Sequence, residues 1–227
     1  MKNILLGIII SSGITFGQTF HVDKVQGTVK AQVGTNENWS NIVENQTLSA
    51  NSIIETGKNS LVVLSGNNSK FTLKGSSALQ LSDIKKMSVN DLILALAMED
   101  MLNAPKKKDE ANSKNTAVYG AQINGIKDPI VETDNFGIKK LNGAVQLAED
   151  GFKEYAVVDA KDTYRKYPET KSIASFRIYF ANIIFDFGLN EDAYDEFKSI
   201  QSLKLSNDQK EIVNNKLEIL ASKLTQK

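Results

Sequence analysis

The sequence predicts a two-module α+β protein: an N-terminal antiparallel all-β sandwich or roll, followed by a C-terminal all-α module of helical hairpins. Three observations predict this fold class. Residues 20–81 contain short runs of alternating apolar and polar residues separated by turn formers, which is typical of antiparallel strands. From residue 138 onward, apolar residues recur with the period of a helix. There, the six-residue phrase Gly151–Ala156 recurs in similar form as Gly188–Ala193, 37 positions later. A period of this length is typical of stacked helix pairs.

The composition argues against several classes of protein. The 27 basic and 27 acidic residues cancel, so the chain lacks the basic excess of a nucleic-acid binder. The absence of cysteine excludes disulfides, thiolate metal sites and a cysteine nucleophile. His21 is the only histidine, and a terminal strand is a poor place to hold it in a catalytic triad or a metal site. No phosphate-cradling loop or dinucleotide motif is present, so we expect no enzyme activity, no cofactor and no metal.

Residues 1–17 are predicted to be a signal peptide. Lys2 supplies a short positive region, residues 4–10 are almost wholly apolar, and small or uncharged residues follow at 15–17. We expect cleavage before Gln18, no transmembrane segment afterwards, and a periplasmic or secreted protein. The alternative is a retained membrane anchor, for which this run is short compared with the roughly 20 residues that a span needs.

Residues 18–103 are predicted to form the β module and a helix that follows it. The spacing of roughly ten residues between strand-like runs favours an antiparallel arrangement over a parallel sheet. The clearest of these runs are 25–29, 61–64, 71–73 and 79–81, with turn formers near Gly34, Gly57 and Gly66.

The helix after the strands is predicted to begin at Ser88, which forms a near capping box with Asp91. Residues 92–98 are all apolar, and a helix that is apolar all round needs cover on more than one side. Met87, Met98 and Met101 add a contact surface that adapts to a partner. The simplest interpretation is a core helix that joins the two modules, and the alternative adds contact with another molecule.

Residues 104–137 are predicted to be a linker that proteases cut, because they are rich in Asn, Lys, Asp and Gly and poor in apolar residues. Only 116–119 has the composition of a strand. The run Lys106–Lys108 could contact an anionic lipid or glycan, but a short lysine run in a linker is usually solvated.

Residues 138–227 are predicted to form four or five helices. Pro168 ends the second of them, and Ser206 with Gln209 forms a capping box for the last. The expected helices are 138–149, 153–166, 171–187, 191–203 and 207–225.

Small and apolar residues fall at matching places in the two copies of the repeat. They are Gly143, Ala144, Ala156, Ala160 and Thr163 in the first copy, and Ala181, Ala193, Phe197 and Ile200 in the second. With Pro168 as the closing residue, the pattern over residues 138–225 resembles tetratricopeptide repeats. The chain departs from that family in three ways. It lacks the tryptophan of the family's first helix, and Leu205 stands where the second proline would be. The offset of 37 positions between its two copies is also longer than in the family. The resemblance implies paired helices that bind another protein.

The strand region has a distinctive order of elements. They are Val25-x-Gly27-x-Val29, Trp39, Leu48, Ile53-Ile54-x-Thr56-Gly57-x-Asn59-Ser60, the apolar run 61–64, Phe71-x-Leu73 and Ser77-x-Leu79-x-Leu81. Together they resemble the periplasmic FecR domain over residues 20–82. The resemblance implies a small β module of the bacterial envelope that binds or scaffolds, and neither family brings catalytic residues with it.

These observations predict a non-enzymatic bacterial envelope scaffold or adaptor that binds another, unidentified envelope protein. Aromatic residues of the helices should mostly form the core, and those left exposed should line the contact groove. The alternative is a carbohydrate- or peptidoglycan-binding protein in which Trp39 stacks on a sugar, although a half-buried Trp39 that closes the sheet is the simpler interpretation. An enzyme of unrecognised type is a third hypothesis. The candidate binding residues are Trp39, Phe176, Tyr179, Phe180 and Tyr194.

Overall fold

The computed structural model describes residues 18–34, 38–66, 69–103 and 129–226. The predicted signal peptide and its cleavage site therefore fall outside or at the edge of the described residues. Most of the predicted linker, including 106–108 and 116–119, also lies outside them.

The N-terminal module consists of antiparallel strands in two four-stranded sheets. The strand order is β4-β1-β6-β7 in one sheet and β3-β2-β5-β8 in the other. This confirms an antiparallel β region ahead of the helices. The strands are β1 (Thr19–Gln26), β2 (Val29–Val33), β3 (Ser40–Asn41), β4 (Thr47–Ser49), β5 (Ser52–Thr56), β6 (Leu61–Gly66), β7 (Ser69–Lys74) and β8 (Ala78–Gln80).

Alternation along the strands decides which side chains are buried. In β6, Val62 and Leu64 are buried and pair across the sheet with Leu73 and Phe71 of β7. In the second sheet, Ile54 of β5 is buried opposite Ala31 of β2, which is also buried. Because side chains in a strand point alternately to its two faces, each of these strands contributes one apolar face to the core. The buried residues of both sheets belong to a single hydrophobic core.

One expected strand, 25–29, is divided in the structure. Gly27 has a φ of 74°, in the left-handed region that favours glycine, and it separates β1 from β2. A Cβ at this position would lie 2.5 Å from Ser60 Oγ. The glycine that helped to define the sequence pattern is therefore the point where the chain leaves one sheet and enters the other.

Helix α1 (Val89–Asn103) follows the sheets and begins where the sequence predicts. Ser88 Oγ accepts a hydrogen bond from the Asp91 N–H at 3.1 Å, and Asp91 Oδ2 accepts one from the Ser88 N–H at 3.4 Å. This reciprocal cap satisfies N–H groups that a helix start otherwise leaves free. Helix α1 packs against the second of the C-terminal helices.

The C-terminal module contains five helices, close to the expected bounds. They are α2 (Phe136–Glu149), α3 (Lys153–Lys166), α4 (Ala174–Asp186), α5 (Asn190–Gln201) and α6 (Asn207–Thr225). Helix α4 begins three residues later than expected, because Pro168–Ser172 forms a 3₁₀ turn. The capping box predicted for α6 is present, with Ser206 and Gln209 bonded to each other's backbone. Among the described residues, no helix combines the length and the apolar composition that crossing a membrane requires.

The duplicated phrase forms the same turn twice. Gly151 and Gly188, with φ of 92° and 75°, end α2 and α4. In each turn the glycine N–H donates to the carbonyl three residues earlier, and the next N–H donates to the carbonyl five residues earlier. The alanines that close the two phrases, Ala156 and Ala193, are fully buried. The sequence repeat therefore corresponds to two helix–turn–helix pairs, α2–α3 and α4–α5.

Helix α2 joins the two modules through polar groups in its buried face. Asn142 Nδ2 donates to the Ser76 carbonyl at 2.6 Å, and Gln146 Oε1 accepts from the Lys74 N–H at 2.5 Å. Between these two residues, a Cβ on Gly143 would lie 2.1 Å from the Ala78 carbonyl oxygen. Helix α2 therefore lies directly on the backbone of the β module, at a distance that only glycine permits.

Candidate functional site

The aromatic residues predicted to bind a partner have different environments in the structure. Phe176 and Phe180 of α4 are buried in the core, so their burial excludes them from a contact surface. Tyr179 and Tyr194 are half-buried. The Tyr179 ring packs edge-on against Phe180 with centroids 5.1 Å apart, and Lys198 Nζ lies 5.7 Å from the centroid of the Tyr194 ring. The two tyrosines, like Trp39, retain surface that a partner can contact.

Trp39 precedes the edge strand β3 and is half-buried, as the simpler interpretation expected. Its ring packs edge-on against Phe136 at the start of α2, with centroids 6.0 Å apart. Phe136 in turn packs against Tyr167, after α3, at the same distance. Trp39 therefore belongs to an aromatic row that connects the second sheet to the helices, a contact that the sequence did not indicate.

An exposed apolar surface with a regular arrangement lies on α1. Its residues form two adjacent rows along one side of the helix, and the residues within each row are four positions apart. Leu92 and Leu96, on the opposite side, are buried. We call this surface the α1 stripe; it consists of Ile93, Leu94, Ala97, Met98, Met101 and Leu102.

The α1 stripe is far more exposed than apolar side chains in a core. The exposed fraction ranges among its large residues from 44% at Ile93 to 75% at Met101. Single exposed apolar residues are ordinary, whereas a contiguous apolar patch marks an interaction surface. Full burial of one such side chain stabilises by about 1.5–3 kcal/mol. Covering a side chain that is already partly buried gains only part of that amount, so the stripe offers a partner several contacts that are each smaller than this.

Helix α1 is held in place beneath the stripe. Glu99 lies 3.6 Å from Arg165 Nε of α3, and Arg165 also forms an ion pair with Asp162. Leu92 and Leu96 add apolar contacts on the same buried side. The α1 stripe is therefore presented by a helix that is anchored to the helical module.

Charged residues lie beside the N-terminal end of the stripe. Lys85 and Lys86 are exposed immediately before α1, and Lys85 Nζ lies 4.8 Å from the centroid of the Tyr155 ring. The exposed Asp91 lies in the first helical turn and is bonded to Ser88. The flank of the stripe near its N-terminal end is therefore net positive.

His21 was the one side chain considered for a catalytic triad or a metal site. His21 is exposed on β1. Within the described ranges, no group of three or more His, Cys, Asp or Glu side chains is arranged to hold a metal ion. What the described surface does offer is the α1 stripe, together with a cavity between the modules.

Part of this site could be read from the sequence. Seven consecutive apolar residues predicted that α1 would contact more than one surface. Which of them face outward depends on how the helix packs on α3, and an all-apolar run gives no period from which to choose.

Comparison with known proteins identifies no relative: no family model matches the chain, and neither a curated protein nor a solved structure matches it significantly.

Proposed function

We propose that this protein is a non-enzymatic scaffold of the bacterial envelope, and that it binds another envelope protein through the α1 stripe. One observation carries the proposal. Six neighbouring apolar residues are exposed on a helix that the rest of the fold holds in place. A soluble chain gains nothing from such a surface unless another molecule covers it.

The partner segment that best matches the stripe is an amphipathic helix. Anchors four residues apart on α1 match the spacing by which one helix packs on another. The stripe spans positions 93 to 102, about 13 Å along the axis, which is close to two and a half turns of a partner helix. Lys85 and Lys86 favour a partner whose apolar face is flanked by acidic residues.

The modules themselves suit a scaffold. We propose that the two sheets form a FecR-like sandwich, supported by their antiparallel order and by the single core to which both contribute. We propose that α2–α6 form a short tetratricopeptide-like array, supported by the two equivalent glycine turns and by the packing of α6 on α5. Envelope location rests on the predicted signal peptide at residues 1–17.

A glycan- or peptidoglycan-binding role for the β module is the second candidate. The observation that favours it is the part of Trp39 that stays exposed beside the aromatic row. Sugars stack on such rings, and quenching of Trp39 fluorescence by glycan fragments tests this role directly. Unchanged emission in the presence of soluble peptidoglycan fragments would remove it.

Site-specific photo-crosslinking in cells tests the docking proposal. A photoreactive residue in place of Met98 should give one discrete adduct with another envelope protein. The same residue in place of Ile219, an exposed apolar position on α6, should not. With the captured partner purified, Leu94→Glu should weaken binding at least roughly tenfold, because a buried charge replaces an apolar contact. Ile219→Glu is the matched control and should bind as wild type.

Three results would overturn the proposal. The first is a Met98 adduct formed only with a second copy of this chain, and the second is the absence of any adduct. The third is equal binding by wild type and Leu94→Glu, provided that circular dichroism shows both to be folded.

A further inference from the structure

A cavity of about 290 Å³ lies between the β module and helices α2 and α3. Ile53 and Gln80 line it from the second sheet. On the helical side, the lining includes the rings of Phe136, Tyr155 and Tyr167, all of which are half-buried. The cavity shares no residue with the α1 stripe.

The charges around the cavity balance one another within the part of the chain that the structure describes. Its lining contains three carboxylates, which are those of Asp83, Asp159 and Asp162. Lys140 and Lys166 lie 2.7 Å from the second and the third of these, and Lys85 acts on the first. Arg165, outside the lining, divides its charge between Asp162 and Glu99. With its carboxylates ionised, the cavity therefore offers a charged ligand no unmatched opposite charge.

The ion pair at the opening of the cavity can still form hydrogen bonds. The side chain of Lys166 is 58% exposed and that of Asp162 is 31% exposed, so a ligand can reach both. An ammonium group has three donors, and each carboxylate oxygen can accept more than one hydrogen bond. A hydroxyl group both donates and accepts, so it can bond to this pair without a net charge. The polar part of the cavity therefore suits a neutral ligand that carries hydroxyl groups.

The remaining part of the lining is apolar. The rings of Phe136 and Tyr167 pack edge-on with their centroids 6.0 Å apart, and Ile53 and Val158 add aliphatic surface. Such surface gains free energy when C–H groups cover it. A sugar in the pyranose form has C–H groups on the faces of its ring and hydroxyl groups around its edge. It therefore matches both parts of the lining.

We propose that this cavity binds one neutral pyranose ring of a glycan. The C–H groups of the sugar pack on the aromatic rings, and its hydroxyl groups bond to Asp162 and Lys166. The volume is at the small end of ligand sites and fits a single sugar ring. The inference rests on the glycan-binding candidate function, and it places the sugar in the cavity instead of on the exposed part of Trp39. It does not depend on the α1 stripe.

Amide NMR titrations with three glycosides of the same ring test the requirement for a neutral ligand. Methyl glucoside is neutral, its amino derivative at the exocyclic carbon is a cation, and methyl glucuronide is an anion. Methyl galactoside and methyl N-acetylglucosaminide extend the neutral set to other ring substituents. The titrations are made at pH 8, above the pKa of about 7 to which burial raises Asp83.

At least one neutral glycoside should give saturable amide shifts near residues 80 and 166, which line the cavity from opposite sides. Its charged counterparts should bind at least roughly tenfold more weakly, because the cavity has no unmatched charge to offset their desolvation.

Variants link the binding to the cavity. Lys166→Met removes the exposed donors and should weaken glycoside binding roughly tenfold. It should leave folding intact, because Asp162 still pairs with Arg165. Tyr167→Leu removes an aromatic ring from the lining and should weaken binding severalfold. Lys210→Met, at an exposed position on α6, is the control and should bind as wild type.

Four results would overturn the proposal. The first is the absence of a saturable shift with every neutral glycoside at millimolar concentration, and the second is equal or tighter binding of a charged counterpart. The third is equal binding by wild type, Lys166→Met and Tyr167→Leu. The fourth is a set of shifts confined to residues 38–41, which would place the sugar on Trp39 and keep the glycan-binding function without the cavity.

Discussion

The contact between the β module and the helices has two halves that differ in how their polar groups are satisfied. In one half, the buried amides of Asn142 and Gln146 bond to the strands and to the segment before α2. In the other half, beside the cavity, Asp159 and Thr163 keep buried oxygen atoms without partners. The first half fixes the two modules together, although Ser76 Oγ in that half also lacks a partner. The second half leaves two oxygen atoms of α3 unsatisfied, which weakens the contact there.

The largest expected effect comes from the closest approach in the satisfied half. Gly143→Ala would place a Cβ 2.1 Å from the Ala78 carbonyl oxygen, so α2 must move away from the β module. We expect a loss of about 3 kcal/mol in the free energy of unfolding, measured by denaturant titration. Gly57→Ala is the matched control, because its new Cβ would meet ordinary contacts at 3.4 Å. If both variants unfold like wild type, the modules are not in tight contact.

The second effect concerns the two helical hairpins, of which the first packs on the β module. Ala156 and Ala193 are fully buried, so replacing either by Leu should overpack its hairpin and cost about 2 kcal/mol. Ala221→Leu, on the exposed side of α6, is the control and should have little effect on the melting temperature. Ala148 of α2 is buried and is therefore not a valid control. Wild-type melting of both variants would mean that neither alanine lies in a close helix–helix contact.

The third effect removes one buried amide from the satisfied half. Asn142 accepts from the Val131 N–H at 2.9 Å and donates to the Val131 carbonyl at 2.7 Å. Asn142→Leu should leave this backbone without its partners and cost about 1.5 kcal/mol. Hydrogen exchange should accelerate at the Val131 amide, and it should not do so in Asn214→Leu, an exposed position on α6. Unchanged exchange at Val131 in both variants would contradict this role for Asn142.

The sequence predicts those parts of the fold that local signals determine. The caps at Ser88 and Ser206, and the repeated glycine turns, each act over a few residues, so helix positions could be predicted closely. The contact between the modules could not be predicted in this way. Gln146 bonds to Ser77, 69 residues away, and a polar residue within a helix usually indicates a solvated face. The cavity could not be predicted for the same reason, because Asp83 lies far in the sequence from Asp159 and Thr163 and meets them only in the folded chain.

The smallest expected effect is on the pH dependence of the unfolding free energy. It concerns Asp83, which lies in the half with unsatisfied oxygen atoms. Because burial raises the pKa of Asp83 to about 7, the folded protein holds a proton there that the unfolded chain releases near pH 4. In this range the folded state binds more protons, so the contribution of Asp83 to stability falls as the pH rises. From pH 6 to pH 7 it should fall by about 1 kcal/mol.

Asp83→Asn cannot titrate at this position, so its unfolding free energy should lack that fall, while the exposed control Asp195→Asn keeps it. Parallel urea titrations at the two pH values measure the difference directly. If wild type and Asp83→Asn have the same pH dependence, Asp83 is already ionised at neutral pH.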